Sequence, residues 1–262
     1  MNIYLGTIIT LLIAEFLFGL IADLLNLRAL KNELPEEFHG VFDEETYKKS
    51  QDYTSVKTKF GILASSVGLC ALIIFWVAGG FNAVDGFVRS FELHPLITGT
   101  LYIGILFFLQ NILSLPFKIY STFVIEERFG FNRTTAKTFA VDMLKGLMLT
   151  ALIGVPVLLA VQSFFMYGGS YAWLSAWGAV SAFMLGLYFI APNVIFPLFN
   201  KFTPLEDGEL KEKIFELARK LSFPLSGIYV IDGSRRSAKA NAFFVGFGKN
   251  KRIALFDTLI AD

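Results

Sequence analysis

Few side chains in this 262-residue sequence are of the kinds that catalysis or metal binding usually needs. There are two histidines, His39 and His94, and one cysteine, Cys70, which lies inside an apolar run. A single cysteine excludes an intrachain disulfide. Glu15 interrupts another apolar run. A carboxylate in such a place is expensive to bury, so it faces either a wet cavity or a charged partner. The amides Gln110, Asn111 and Asn193 also sit in apolar surroundings, where hydrogen bonding between helices is the simplest role. The run Gly233–Ala240 carries Arg235, Arg236 and Lys239 among small residues. Exposed backbone amides and arginines suit phosphate. The run matches no P-loop pattern, however, and a solvated loop is the simpler reading. Net charge is +1, which provides no global field for nucleic acid, and no nucleic-acid partner is expected.

The elements that must position these residues are mostly apolar. Hydrophobic residues make up 55% of the chain and charged ones 17%, against about 25% charge in soluble domains. The apolar residues are gathered in long blocks before residue 200, the pattern of a membrane protein with a polar tail. A bilayer core needs roughly 20 apolar residues in helix. Five stretches qualify, at about 3–25, 60–81, 95–124, 143–167 and 171–199. The first lacks a basic leader and its apolar stretch is too long for a cleaved signal, so it reads as a signal anchor. Pro116, Pro156, Pro192 and Pro197 fall inside spans and are expected to kink them toward the protein interior. Lys and Arg cluster in the segments around 26–59, 125–145 and 200–262, while the opposite loops hold only Arg89. The positive-inside rule then places the N-terminus outside and the C-terminus in the cytoplasm. That topology puts His39 and His94 on opposite sides of the membrane. With Cys70 in mid-bilayer, no zinc site can be assembled from them.

After residue 199 the chain becomes polar. Thr203-Pro204-Leu205-Glu206 resembles a helix capping box, although Gly208 favours a later start. Leu210, Ile214, Leu217, Ala218 and Leu221 then recur at helical spacing, and Pro224 closes the helix. Ile228–Ile231 reads as a strand. The runs 241–248 and 251–257 read as a hairpin around Gly248-Lys249-Asn250. These elements form an α+β fragment, small for an independent core. The expected organisation is a multi-pass membrane domain over 1–202 and an incomplete cytoplasmic domain over 203–262.

Several segments carry a resemblance. Asp232-Gly-Ser-Arg-Arg-Ser-Ala-Lys-Ala-Asn-Ala-Phe-Phe244 and the Gly-Phe-Gly-Lys-Asn-Lys-Arg-Ile-Ala-Leu-Phe-Asp-Thr-Leu-Ile260 run are similar to the CAAX prenyl protease family, integral-membrane zinc endopeptidases. So are Pro116-Phe117, Tyr120–Thr135 and Ile195–Phe202 with the following Pro204–Leu210. The resemblance implies a fold class of five transmembrane helices, membrane all-α, followed by the start of a cytoplasmic α+β thermolysin-like domain. In the whole family fold, seven helices enclose a wet chamber, for which Glu15, Gln110, Asn111 and Asn193 are candidate lining residues. It also implies that Asn241, Ala242 and Phe243 belong to an edge strand that binds substrate by backbone pairing.

The family's zinc lies in a helical HExxH, in which two histidines bind metal and the glutamate activates water. This sequence has no such motif. The expectation is therefore a metalloprotease N-terminal portion, a fragment rather than an evolved pseudoenzyme. By itself it would have no catalytic residue, no bound zinc and no activity. In the complete enzyme the resemblance implies zinc as cofactor, a peptide or prenylated protein as substrate, and lipid contact in the bacterial inner membrane or the endoplasmic reticulum. The alternative is a non-catalytic membrane binding subunit or pseudoprotease.

Overall fold

The structure is a computed structural model and describes residues 3–31, 33–41, 43–246, 248 and 250–261. The chain divides into two compact units, Met1–Gly130 and Phe131–Asp262. The expected boundary at 202–203 marks a change of polarity, whereas the division at 130–131 marks a change of packing.

The first unit is helical. Helix α1 (Ile3–Ala29) packs on α2 (Glu44–Val77), which Asp43 caps by accepting from the Thr46 amide at 2.8 Å. A short helix, α3 (Gly80–Arg89), follows, and then α4 (Pro95–Tyr120), which continues into a π-helical turn at Ser121–Glu126. At 27 residues, α1 is about 40 Å long, enough to cross a bilayer. The most apolar windows of α1, α2 and α4 are not buried inside the protein. Their exposed Phe, Leu and Ile side chains make sense only where lipid is the solvent.

The second span was expected to run to residue 81 and to be followed by a loop. It stops instead at Val77, because Gly79 takes a left-handed φ of 79°. A Cβ on Gly80 would run into the Phe75 ring, so the pair of glycines allows a tight reversal directly into α3. Val88 of α3 is fully buried.

The second unit begins with α5 (Ala136–Tyr167), capped by Thr135, whose hydroxyl accepts from the Thr138 amide at 3.1 Å. A 3-10 turn (Gly169–Tyr171) leads into α6 (Ala172–Val194), which packs on α5, and then one helical turn, α7 (Phe196–Phe199). The single stretch expected over 171–199 is therefore broken near Ile195, with Pro197 in the first turn of the new helix.

Beyond it lies a four-stranded sheet in the order β1 (Phe202–Pro204), β2 (Leu225–Ile231), β4 (Lys251–Phe256), β3 (Ala242–Val245). β1 is antiparallel to β2, β2 parallel to β4, and β3 antiparallel to β4. Helix α8 (Glu209–Lys220) connects β1 to β2, and α9 (Asp257–Ile260) follows β4. The capping box expected at Thr203 is not formed. Thr203 and Pro204 pair with Val230 and Tyr229 as strand, and the helix begins after Gly208. The apolar stripe of α8 is also rotated from the expected one. Ile214, Phe215 and the buried Ala218 face the sheet, whereas Leu217 and Leu221 are 57% and 69% exposed. The hairpin is present, but Phe247 and Lys249 at its turn lie outside the described residues.

Alternation along the strands gives the sheet two dressed faces. Ile228, Val230, Ile253 and Leu255 pack with Leu205, Ile214 and Phe215 on the α8 side. On the other face Phe243 lies between the rings of Phe196 in α7 and Phe256, at 6.1 and 6.2 Å.

Candidate functional site

β1 and β3 are the two edge strands of the sheet, and the candidate docking residues lie at β3. Asn241 precedes it, with its carbonyl accepting from the Phe256 amide at 2.9 Å. That bond fixes which groups look outward. In an antiparallel ladder, residues alternate between bonding the partner and facing away from it. Asn241, Phe243 and Val245 therefore bond β4, and the backbone groups of Ala242 and Phe244 point to the open edge. The Asn241 side-chain oxygen accepts from the Ala242 amide at 2.9 Å. That leaves the Ala242 carbonyl and both backbone groups of Phe244 to meet an added strand. Asn241 is exposed, and its amide NH2 has no partner among the described residues.

The loop before this strand is only partly solvated, with Arg235 and Ala240 exposed and Arg236 anchored. Arg236, about one quarter exposed, donates Nε and Nη2 to the two oxygens of Asp142 in α5, at 2.6 and 3.0 Å. It also donates to the Asn200 side chain at 2.9 Å and to the Phe199 carbonyl at 2.7 Å. Its own carbonyl accepts from the Arg133 amide and the Thr134 hydroxyl. Lys145, one turn along α5, donates to the Leu198 carbonyl at 2.8 Å. Asp232 accepts from the Lys201 amide at 2.6 Å. Together these contacts bind the ends of α5 and α7 to the loop that delivers β3. Arg236 is held by the Asp142 carboxylate, and its pKa is raised.

Nearby, the Ser234 hydroxyl and amide both donate to Asp257, which also accepts from the Thr258 amide at 2.9 Å. Burial works to raise the Asp257 pKa, but these donors outweigh it and hold the carboxyl below its usual range, with a further contribution from Arg133.

At the other end of β3 a cleft of about 330 Å3 opens between Val245, Gly246 and Asn250 of the hairpin, Arg252 of β4, and Phe189 and Asn193 of α6. Asn193, a sequence-predicted site residue, accepts here from Arg252 at 2.9 Å. Asn193 therefore sits beside the end of β3 opposite Asn241, and Asn241, Ala242 and Phe243 do not line this cleft.

The remaining predicted lining residues lie in the first unit, in separate places. Glu15 opens onto a cavity of about 340 Å3 between α1 and α2, together with Asp23 and Ser65. Gln110 lines an apolar cavity of about 410 Å3 among α2, α3 and α4. Asn111 does not line it, and donates to the Phe107 carbonyl of its own helix at 2.9 Å.

Sequence reasoning missed Asp23, although its spacing from Glu15 and Gly19 places all three on one helix stripe. It also missed Asp142, which stands one residue before the expected fourth span. In the first unit the Tyr53 hydroxyl donates to Glu126 in the π turn, and Lys57 reaches both groups.

His39 bonds the Leu34 carbonyl, and His94 accepts from the Leu96 amide at the start of α4. Among the described residues no three His, Cys, Asp or Glu side chains are grouped so as to hold a metal ion.

A sequence model described as CAAX prenyl protease N-terminal, five membrane helices, matches residues 23–201, and one of peptidase family M48 matches 204–262. The CAAX prenyl protease 1 homolog of Oryza sativa is 40% identical over 267 residues, covering 98% of this chain and 62% of that protein. The Homo sapiens homolog is 38% identical, over 87% of this chain and 50% of that protein. The crystal structure of S. mikatae Ste24p superposes with a TM-score of 0.88 at 35% identity, covering 97% of this chain and 61% of that one. The chain thus spans between half and about three fifths of the length of these relatives.

Proposed function

The chain belongs to the CAAX prenyl protease family, and from that premise we propose that it forms the membrane-embedded and substrate-docking part of a zinc-dependent endopeptidase. The observation that carries this reading is the open β3 edge. Asn241 starts it, the Ala242 and Phe244 backbone groups face outward, and Phe243 is anchored between two aromatic rings. An extended peptide adds to such an edge through main-chain hydrogen bonds, which do not depend on its sequence.

The substrate class is a peptide or prenylated protein brought to the site along the membrane. The five apolar helices make the chain a multi-pass membrane protein. The Lys and Arg distribution supports an outside N-terminus, with the sheet in the cytoplasm. Catalysis is assigned to the whole protein. None of the described residues is assigned to metal ligation, and no residue of this chain is assigned to bond cleavage.

The test is Asn241→Ala, with Asn241→Asp beside it. Alanine removes both the NH2 donor and the acceptor that engages the Ala242 amide. Aspartate keeps the acceptor and loses the donor. Losing one hydrogen bond in a water-poor site costs about 1–3 kcal/mol, or roughly 5- to 150-fold in kcat/KM. Peptide hydrolysis by the whole protein should fall by that factor in both variants, while the melting temperature stays near that of the parent. Unchanged hydrolysis would remove the docking assignment, and a collapsed melting temperature would make Asn241 structural.

A further inference from the structure

We propose that the cleft at the C-terminal end of β3 is an anion-selective subsite, in which Arg252 receives an acidic side chain of a peptide paired with the β3 edge. The inference rests on the reading of β3 as the docking strand and adds a preference at one peptide position.

A guanidinium has five N–H donors. Among the described residues the Arg252 guanidinium makes one hydrogen bond, to Asn193, and lies over the Tyr229 ring at 5.6 Å. Those two contacts hold the plane of the fork while leaving most of its donors without a protein acceptor. Among the described residues no carboxylate lines the cleft, and Arg252 takes part in none of the ion pairs. A cation oriented in a concave site, with its donors unspent and no countercharge, is built to receive an anion. A carboxylate matches the fork with two parallel bonds.

The register says where that anion comes from. Val245 pairs with Arg252, so both project from the same face of the sheet, the face on which Phe243 meets Phe196. A strand added at the free edge would place one residue beside Val245 on that face, and its two neighbours on the opposite face. One peptide position is therefore read by the cleft. Gly246 ends the strand where the hairpin closes tightly on Asn250. Its φ is 103°, and a Cβ there would collide with the Asn250 carbonyl.

The alternative anion is a lipid phosphate, since α6 ends at Val194 beside the cleft. The peptide is favoured because Val245 and Gly246, the last groups of the docking edge, themselves form the wall.

The experiment uses the whole protein in nanodiscs of phosphatidylcholine and a labelled extended peptide, made as paired versions with Glu or Gln at each successive position. Binding is read by fluorescence anisotropy. At one position only, Glu should bind roughly tenfold tighter than Gln, and the difference should shrink as salt rises. Arg252→Gln should abolish that difference, and Arg252→Lys should keep part of it. Asn241→Ala should weaken the Glu and Gln peptides alike.

No Glu preference, or a preference that survives in Arg252→Gln, overturns the subsite; if Asn241→Ala still weakens binding, the docking strand stands. Absence of any peptide binding overturns both. Should Arg252 instead control only affinity for discs containing phosphatidylserine, the cleft belongs to lipid and the peptide subsite is overturned.

Discussion

Asp257 shows how one side chain at the end of β4 can tie the sheet to the loop before the docking strand. Its oxygens take the Ser234 amide and hydroxyl and the Thr258 amide, and the Thr258 hydroxyl in turn donates to the Lys239 carbonyl at 3.0 Å. The folded-state pKa lies below the ordinary value of 3.8, because these bonds and the nearby Arg133 outweigh burial. A carboxyl whose pKa is depressed by folding stabilises the folded state fully above its unfolded pKa. That contribution is lost as pH falls through the folded value. Asp257→Asn should therefore lower the melting temperature at pH 7, by a loss of about 1–3 kcal/mol for the charge-assisted bonds. The gap between variant and parent should narrow as pH is lowered through and below 3.8. Melting curves of both proteins from pH 7 downward check this, and a gap independent of pH would mean that the charge of Asp257 contributes nothing.

Between elements, the contacts that matter most were the least legible in the sequence. Long apolar runs announced the five helices, and the alternation around Gly248 announced the hairpin, because both patterns are local and repeat many times. The Gly79-Gly80 reversal was hidden because glycine in an apolar run is equally consistent with a continuous helix. The face of α8 was read one position off, since Leu217 looks like core by type and only the sheet's position shows that Phe215 takes that place. Arg236 was read as a screened surface cation, because nothing local links it to Asp142, 94 residues away. Asn241 was reached through family resemblance, and the outward direction of Ala242 and Phe244 came only from ladder register. The structural reading reverses the expectation for Arg236. Arg236→Lys keeps the charge but cannot hold Asp142, Asn200 and Phe199 together in one fork. It should destabilise the second unit by about 1–3 kcal/mol, discounted toward the lower end because the pair is partly exposed. Amide hydrogen exchange should rise at the ends of α5 and α7 and in residues 233–240 together, and an effect confined to residue 236 would show that the cluster does not join the elements.

For the whole molecule, the exposed apolar helices and the charged segments between them set one more measurable expectation. Every Lys and Arg in the connection from α1 to α2, in the residues from 126 to 145, and in the sheet would lie on one side of the bilayer, while Arg89 on α3 would lie on the other. Arg89 is paired with Asp85 four residues earlier at 2.8 Å, but the rule counts Lys and Arg rather than net charge, so the bias rests on Arg89 standing alone against the clusters opposite. The proposed orientation puts α3 outside and the β3 edge in the cytoplasm, where a peptide made on cytoplasmic ribosomes would meet it. The measurement starts from Cys70→Ser, which removes the only thiol, and then introduces single cysteines at Asn82 or Ser90 and at Glu209 or Lys213. In intact cells or sealed vesicles, a membrane-impermeant maleimide added outside should label the first pair and not the second. Permeabilisation should make the second pair reactive. Labelling of both pairs from the same side would contradict an odd number of crossings between α3 and the sheet. The reverse pattern would keep the five spans and invert the protein, placing the docking strand on the far side of the membrane from newly made cytoplasmic peptides.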